Sequence, residues 1–172
     1  MPEKLHKNVC DDNIFSVIYR EYSHDLLKYL YYKFGESCDP RDKVQDAFVK
    51  LLDKCKEVPP DSAKGFLFKV ASNMMLNEIK HQKVVLKYKK IKPKEYTNES
   101  PEFVLEEKEF LKKYQKALSL LTEDQRVAFL LNKVEGKKQA EIAEMLGTTR
   151  KAIENRVYMA YNNLKKSIGE LK

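Results

Sequence analysis

Apolar residues recur at three- and four-residue steps through most of the chain, the spacing of helix faces. Ile14, Phe15, Ile18, Tyr22, Leu26, Tyr29, Leu30 and Phe34 trace one such face. Asp11 and Asp12 can cap this helix near Asn13, and Gly35 can end it. "DPRD" opens a second helix. Asp39 caps it, Pro40 suits the first helical position, and Asp42 meets the positive helix end. Val44, Ala47, Phe48, Leu51 and Leu52 form its expected core face. The prolines at 59 and 60 interrupt the chain. A third helix is expected from about Ala63 to Lys83, with Phe66, Leu67, Val70, Ala71, Met74, Met75 and Ile79 inward.

The period then breaks. "LKYKKIKPKEYTNESPEF" carries two prolines, many charges and no sustained apolar spacing, which reads as a linker. "SPEF" restarts a helix, with Ser100 as cap and Pro101 first in the helix, running to about Leu120. "TEDQ", through Thr122 and Gln125, is a capping-box start for a helix that reaches about Val134 and is stopped by Gly136. Two more helices flank Gly147. The expected fold is all-α: two small helical domains, residues 10–85 and 108–172, joined by a flexible linker, 86–107.

Composition adds a partner class. The net charge is +7 and the pI about 9.1, which favours a polyanion. Through Val85 there are 14 basic and 13 acidic side chains, but from Glu109 onward 13 and 8, so much of the excess falls in the second domain. Cys10, Cys38 and Cys55 are odd in number and widely spaced, with no C-x-x-C. That argues against a zinc site or a disulfide framework and for reduced thiols in a cytoplasmic protein. The N-terminus has no signal-peptide pattern, and no apolar run approaches a membrane span. No H-E-x-x-H, P-loop or G-x-S-x-G motif occurs, so no catalytic residue, metal, cofactor or small-molecule substrate is expected.

"QAEIAEMLGTTRKAIENRV", Gln139 to Val157, has the frame of a helix-turn-helix. Ala143 is the small residue at the helix crossing and Gly147 the turn. Ile142, Leu146, Ile153 and Val157 supply a shared core, and Thr149 caps the second helix. With Ile153 inward, Arg150, Lys151, Glu154, Asn155 and Tyr158 fall on or beside the outward face at ~100° per residue. Recognition helices read base edges from their N-terminal turns. Arg or Lys suits guanine, Asn suits adenine, and Glu suits the cytosine amino group. Arg156, Lys137 and Lys138 are placed for phosphates.

The stretch "KALSLLTEDQRVAFLLNKVEGKKQAEIAEMLGTTRKAIENRVYMAYNNLKK" resembles region 4 of the extracytoplasmic-function (ECF) group of bacterial RNA polymerase sigma factors. Ala117-Leu118, Gln125-Arg126, Glu135-Gly136, Glu141-Ile142-Ala143, Leu146-Gly147 and Ile153 to Val157 carry the likeness. "RDKVQDAFVKLLD" resembles the family's region 2 through Asp42, Gln45, Asp46 and Phe48, and the next helix through Leu67, Val70, Ala71 and Asn73. Phe66 stands where the family has Trp, Glu123 where Pro is common, and Asn77, Lys80 and His81 replace an Asp and an Arg pair.

The resemblance implies a non-enzymatic factor that brings core RNA polymerase to a promoter class. It implies docking on the β′ clamp helices by Asp42, Gln45, Asp46 and Phe48, and contact with the β flap. Asn73, Asn77, Lys80, His81 and Lys83 would serve −10 recognition, and the helix-turn-helix residues −35 recognition. An anti-sigma factor would control it. The alternative is a helix-turn-helix regulator that acts without being a polymerase subunit.

Overall fold

The computed structural model describes residues 8–35, 39–78 and 101–169. Among them the chain forms seven helices and no strand: α1 (Asp12–Phe34), α2 (Pro40–Asp53), α3 (Pro60–Glu78), α4 (Pro101–Leu120), α5 (Glu123–Lys133), α6 (Gln139–Leu146) and α7 (Arg150–Ile168).

The helix starts follow from local chemistry. The Asp11 carboxylate accepts from the N–H of Asn13 at 2.9 Å, and that of Asp39 from Arg41 at 3.0 Å. Thr122 and Thr149 accept from Gln125 and Ala152, at 3.3 and 3.1 Å. The amide of Gln125 does not close a capping box; its oxygen accepts from Asn163 at 3.4 Å. Helix α3 starts at Pro60 rather than near Ala63, because a first-turn proline has no helical hydrogen bond to lose. Helix α4 begins at Pro101, so its first turns occupy the end of the stretch expected as linker. Ile79 to Lys83, the stretch 86–100 and the expected Ser100 cap lie outside the described residues.

Helices α1, α2 and α3 pack on one another around Leu26, Leu30, Leu51, Leu67 and Met75. In the C-terminal unit, α7 is the hub on which α4, α5 and α6 pack, around Leu118, Leu131, Ile142, Ile153 and Leu164. All these side chains are fully buried, each contributing about 1.5–3 kcal/mol relative to exposure. Leu52 departs from the expected core face of α2 and is half exposed, because the first unit has only two other helices to cover α2.

The two units touch. Helix α5 lies on α1, and α6 lies against α3. Tyr29, Leu30, Tyr31, Tyr32 and Phe34 are consequently all buried, so the end of α1 is covered on more than one face. Between the units sits Arg126, 1% exposed.

Cys10 and Cys55 form a disulfide, which ties the chain just before α1 to the turn after α2. This corrects the expectation of reduced thiols for these two residues. A separation of 45 residues carries no spacing signal, and only the fold brings them together. Cys38 lies outside the described residues.

Candidate nucleic-acid and polymerase interfaces

The turn between α6 and α7 is built on Gly147, whose backbone is left-handed at φ 61° and ψ 38°. The N–H of Thr148 reaches back to the carbonyl of Ala143 at 2.9 Å, closing the end of α6. A side chain at Gly147 would face open space, so the backbone conformation alone calls for glycine. At the start of α6 the Glu141 carboxylate accepts from the N–H of Lys138 at 2.7 Å. Ile142 and Ile153 are fully buried, and Ala143 and Val157 nearly so. These inward residues fix the rotation of α7.

The rotation leaves Arg150, Lys151, Glu154, Asn155 and Tyr158 exposed, with Tyr158 64% so. Lys151 and Glu154 pair one turn apart at 3.2 Å. No acidic residue occupies the first turn of α7, so Arg150 and Lys151 add to the positive end of the helix dipole. The exposed start of α7 therefore favours phosphate and the acceptor-rich edge of guanine. Thr149, which caps α7, and Lys138, which precedes α6, are both exposed.

Two residues expected to meet phosphates are otherwise engaged. Arg156 pairs with Asp124 of α5 at 3.1 Å. Lys137 pairs with Asp25 of α1 at 2.8 Å.

On α2, Asp42, Gln45 and Asp46 are exposed along one face. Lys43 lies 3.9 Å from Asp46 and 3.0 Å from Glu78. The hydrogen bond to Glu78 holds the Lys43 ammonium above its ordinary pKa. Phe48 is core, 3% exposed, edge-on to Phe15 with centroids 6.1 Å apart and tilted on Tyr19 at 4.8 Å. It shapes the face from beneath. The exposed apolar groups on this helix are Val49, which helical spacing did not assign, and Leu52, which it placed inward.

Asn73 and Asn77 are exposed on α3, while Lys80, His81 and Lys83 lie outside the described residues. Asn77 shares a cleft with Lys43, Asp46 and Val49, so the residues expected for the −10 element adjoin those expected for polymerase. Asn73 opens instead into a cleft with Tyr29, Ser72, Leu146 and Gly147, where α3 meets the helix-turn-helix.

The buried groups between the units are those that periodicity could not find. Arg126 donates from Nε to the carbonyl of Tyr32 at 2.7 Å, from Nη2 to that of Lys33 at 2.7 Å, and from Nη1 to that of Leu121 at 3.2 Å. Burial lowers its pKa from the ordinary arginine value. The Tyr32 hydroxyl donates to Glu135, which also pairs with Lys28 at 3.5 Å. Burial, then the Glu135 contact, pushes the Tyr32 pKa far up. Among the described residues no helix is long and apolar enough to cross a membrane, and none of their His, Cys, Asp and Glu side chains group in threes that could hold a metal.

Comparison with known proteins agrees with this layout. Residues 18–84 match the family model for sigma-70 region 2, and residues 111–164 match that for sigma-70 region 4. The chain is 20% identical over 151 residues to the ECF RNA polymerase sigma factor SigE of Mycolicibacterium smegmatis, an alignment covering 85% of this chain and 58% of that relative. The chain thus spans little more than half of the relative's length. With region 2 on α1–α3, region 4 on α4–α7, and the two in that order, the chain belongs to the sigma-70 family and is similar to its ECF group.

Proposed function

We propose that this protein binds core RNA polymerase and directs promoter-specific initiation. The observation that carries the reading is the pairing, in one chain, of two differently built surfaces. One is the exposed, basic start of α7 behind a glycine turn. The other is the acidic and apolar face of α2, with Asp42, Gln45, Asp46, Val49 and Leu52 exposed. A DNA reader that worked without polymerase would have no use for the second surface.

In this reading residues 10–85 hold polymerase and capture the −10 element, residues 108–172 read the −35 element, and 86–107 span them. Asp42, Gln45 and Asp46 engage the β′ clamp helices, with Phe48 holding their helix in place. Arg150, Lys151, Glu154 and Asn155 read base edges, while Thr149, Lys138 and Tyr158 meet the backbone beside them. Asn73 and Asn77, with Lys80, His81 and Lys83, take the melted strand. A flipped base needs a pocket and its backbone a basic track. The C-terminal unit contacts the β flap, and an anti-sigma factor controls the whole. The protein makes and breaks no covalent bond.

The test is abortive transcription with bacterial core polymerase on a pool of upstream fragments. Initiation that requires the protein and falls with Gln45→Ala or Asp46→Ala supports the reading. DNA binding with no gain in initiation on any fragment would leave a plain helix-turn-helix regulator.

A further inference from the structure

The Cys10–Cys55 bridge ties down the helix proposed to dock on polymerase, and its role rests on that reading. A chain that works on RNA polymerase works in the bacterial cytosol, where thiols are kept reduced. Disulfides there are mostly transient, and they sense or carry redox change. Both cysteines are half-buried rather than sealed in the core, so thiol exchange does not require the unit to unfold. The three helices also bury a core of their own around Leu26, Leu30, Leu51, Leu67 and Met75, so the fold does not hang on the bridge alone.

The bridge joins two helix ends that together set the docking helix. Cys10 precedes Asp11, the N-cap of α1, and its N–H donates to Asn8 Oδ1 at 3.0 Å. Val9 beside it is fully buried. Cys55 follows Lys54, the C-cap of α2, and its N–H donates to the carbonyl of Leu52 at 3.2 Å. The first turns of α1 carry Phe15 and Tyr19, whose rings lie 6.1 and 4.8 Å from that of Phe48 on α2. Gln45, Val49 and Leu52, all exposed, flank Phe48 along the helix. The covalent link therefore clamps the start of α1 to the end of α2, with the cluster of Phe15, Tyr19 and Phe48 under the docking face.

We infer that the bridge is a redox switch on polymerase binding. Closed by an oxidant, it holds the α2 face in its docking arrangement; opened by a dithiol, it loosens the first turns of α1 and weakens docking. Opening is thiol exchange. A thiolate of the dithiol attacks one bridge sulfur, the S–S bond breaks, and the second thiol resolves the mixed disulfide. Two electrons pass to the bridge, leaving Cys10 and Cys55 as thiols and the reductant as a disulfide. Closing by a peroxide forms a sulfenic acid on one cysteine and releases one water. The other thiol then displaces the second water and makes the S–S bond. The factor is thereby strongest on the enzyme when the cytosol is oxidised.

The experiment uses the full chain carrying Cys38→Ser, which removes the third thiol. It is prepared oxidised and reduced with dithiothreitol, beside the same chain with Cys10→Ser and Cys55→Ser. Circular dichroism reads folding, hydrogen exchange reads the helix ends, and fluorescence titration reads affinity for core polymerase. Reduction should leave helical content unchanged and speed exchange in the first turns of α1 and the last turn of α2. It should weaken core binding about 5- to 30-fold. The serine pair should match the reduced state with or without dithiothreitol, which separates the bridge from any effect of the reductant on the polymerase. By linkage, core polymerase should make the bridge harder to reduce by the same factor. The joint of α1 with the C-terminal unit lies further along, at Asp25, Lys28 and Tyr32, so binding of a mixed-sequence duplex by α7 should not change. A bridge that opens only as the protein unfolds, or equal losses on polymerase and duplex, overturns the inference. No binding or initiation by the oxidised chain sinks the sigma reading itself; binding that ignores redox state sinks the switch alone.

Discussion

Arg126 Nη2 donates to the carbonyl of Lys33 at 2.7 Å, so a side chain of α5 closes the end of α1. The last carbonyls of a helix have no partner within it, and a cation there also meets the negative end of the dipole. The same guanidinium takes the carbonyl of Leu121, just past α4. Arg126→Ala should therefore cost about 2–4 kcal/mol, since it leaves three buried or half-buried carbonyls unpaired. Arg126→Lys should recover little, lacking the planar fork. Urea unfolding measures both. A loss below about 1 kcal/mol would mean that water reaches these carbonyls.

The Cys10–Cys55 bridge restrains the unfolded chain. For a loop of this length the chain-entropy estimate is about 4 kcal/mol, with measured effects typically about 2–4. Unfolding midpoints in dithiothreitol, and for Cys10→Ser with Cys55→Ser, should fall together. Equal midpoints with and without reductant would remove the bridge from the account of stability.

Tyr32 gives the joint an alkaline limit. Its pKa is raised by burial and then by Glu135, so the folded state holds the proton more tightly than the unfolded chain. Its contribution is fully present below the unfolded tyrosine value of about 10 and is lost as pH rises above that. Tyr114 and Tyr22 are raised in the same direction, mainly by burial. Stability measured from pH 8 upward should therefore decline beyond about pH 10, less steeply in Tyr32→Phe. An unchanged slope in that variant would detach the effect from Tyr32.

On promoter DNA, Arg150→Ala should cost about 1–3 kcal/mol and relax preference at one base pair, as for a side chain on a base edge. Lys138→Ala should weaken binding alike on all sequences and lower the salt slope by about one. Gel-shift titrations across salt separate the two. If Arg150→Ala behaved like Lys138→Ala, Arg150 would be a phosphate contact.

Much of this was legible in the chain. Gly35, Gly147, Thr122 and Thr149 act where their chemistry suggests, because a cap or a left-handed turn is decided within a few residues. The outward face of α7 follows from Ile153 and Val157 for the same reason. What crosses the two units was not legible. Arg126 read as part of a family frame, yet its partners lie more than ninety residues away. Lys137 read as a DNA contact because only distance in space reveals Asp25. One local trace existed: "YLYYKF", Tyr29 to Phe34, is apolar around more than one face, which is the mark of a helix end covered from two sides.

The cap on α1 also imposes a timetable on synthesis. A chain is made from its N-terminus at about 5–20 residues per second, and early units fold first. The carbonyls of Tyr32 and Lys33 are translated 94 and 93 residues before the guanidinium that satisfies them. For about 5–20 s at that rate the nascent N-terminal unit has neither the arginine that closes α1 nor the helix-turn-helix that packs on α3. During that interval the end of α1 is uncovered on the ribosome, and its contacts are complete only after α5 and α6 have both been made.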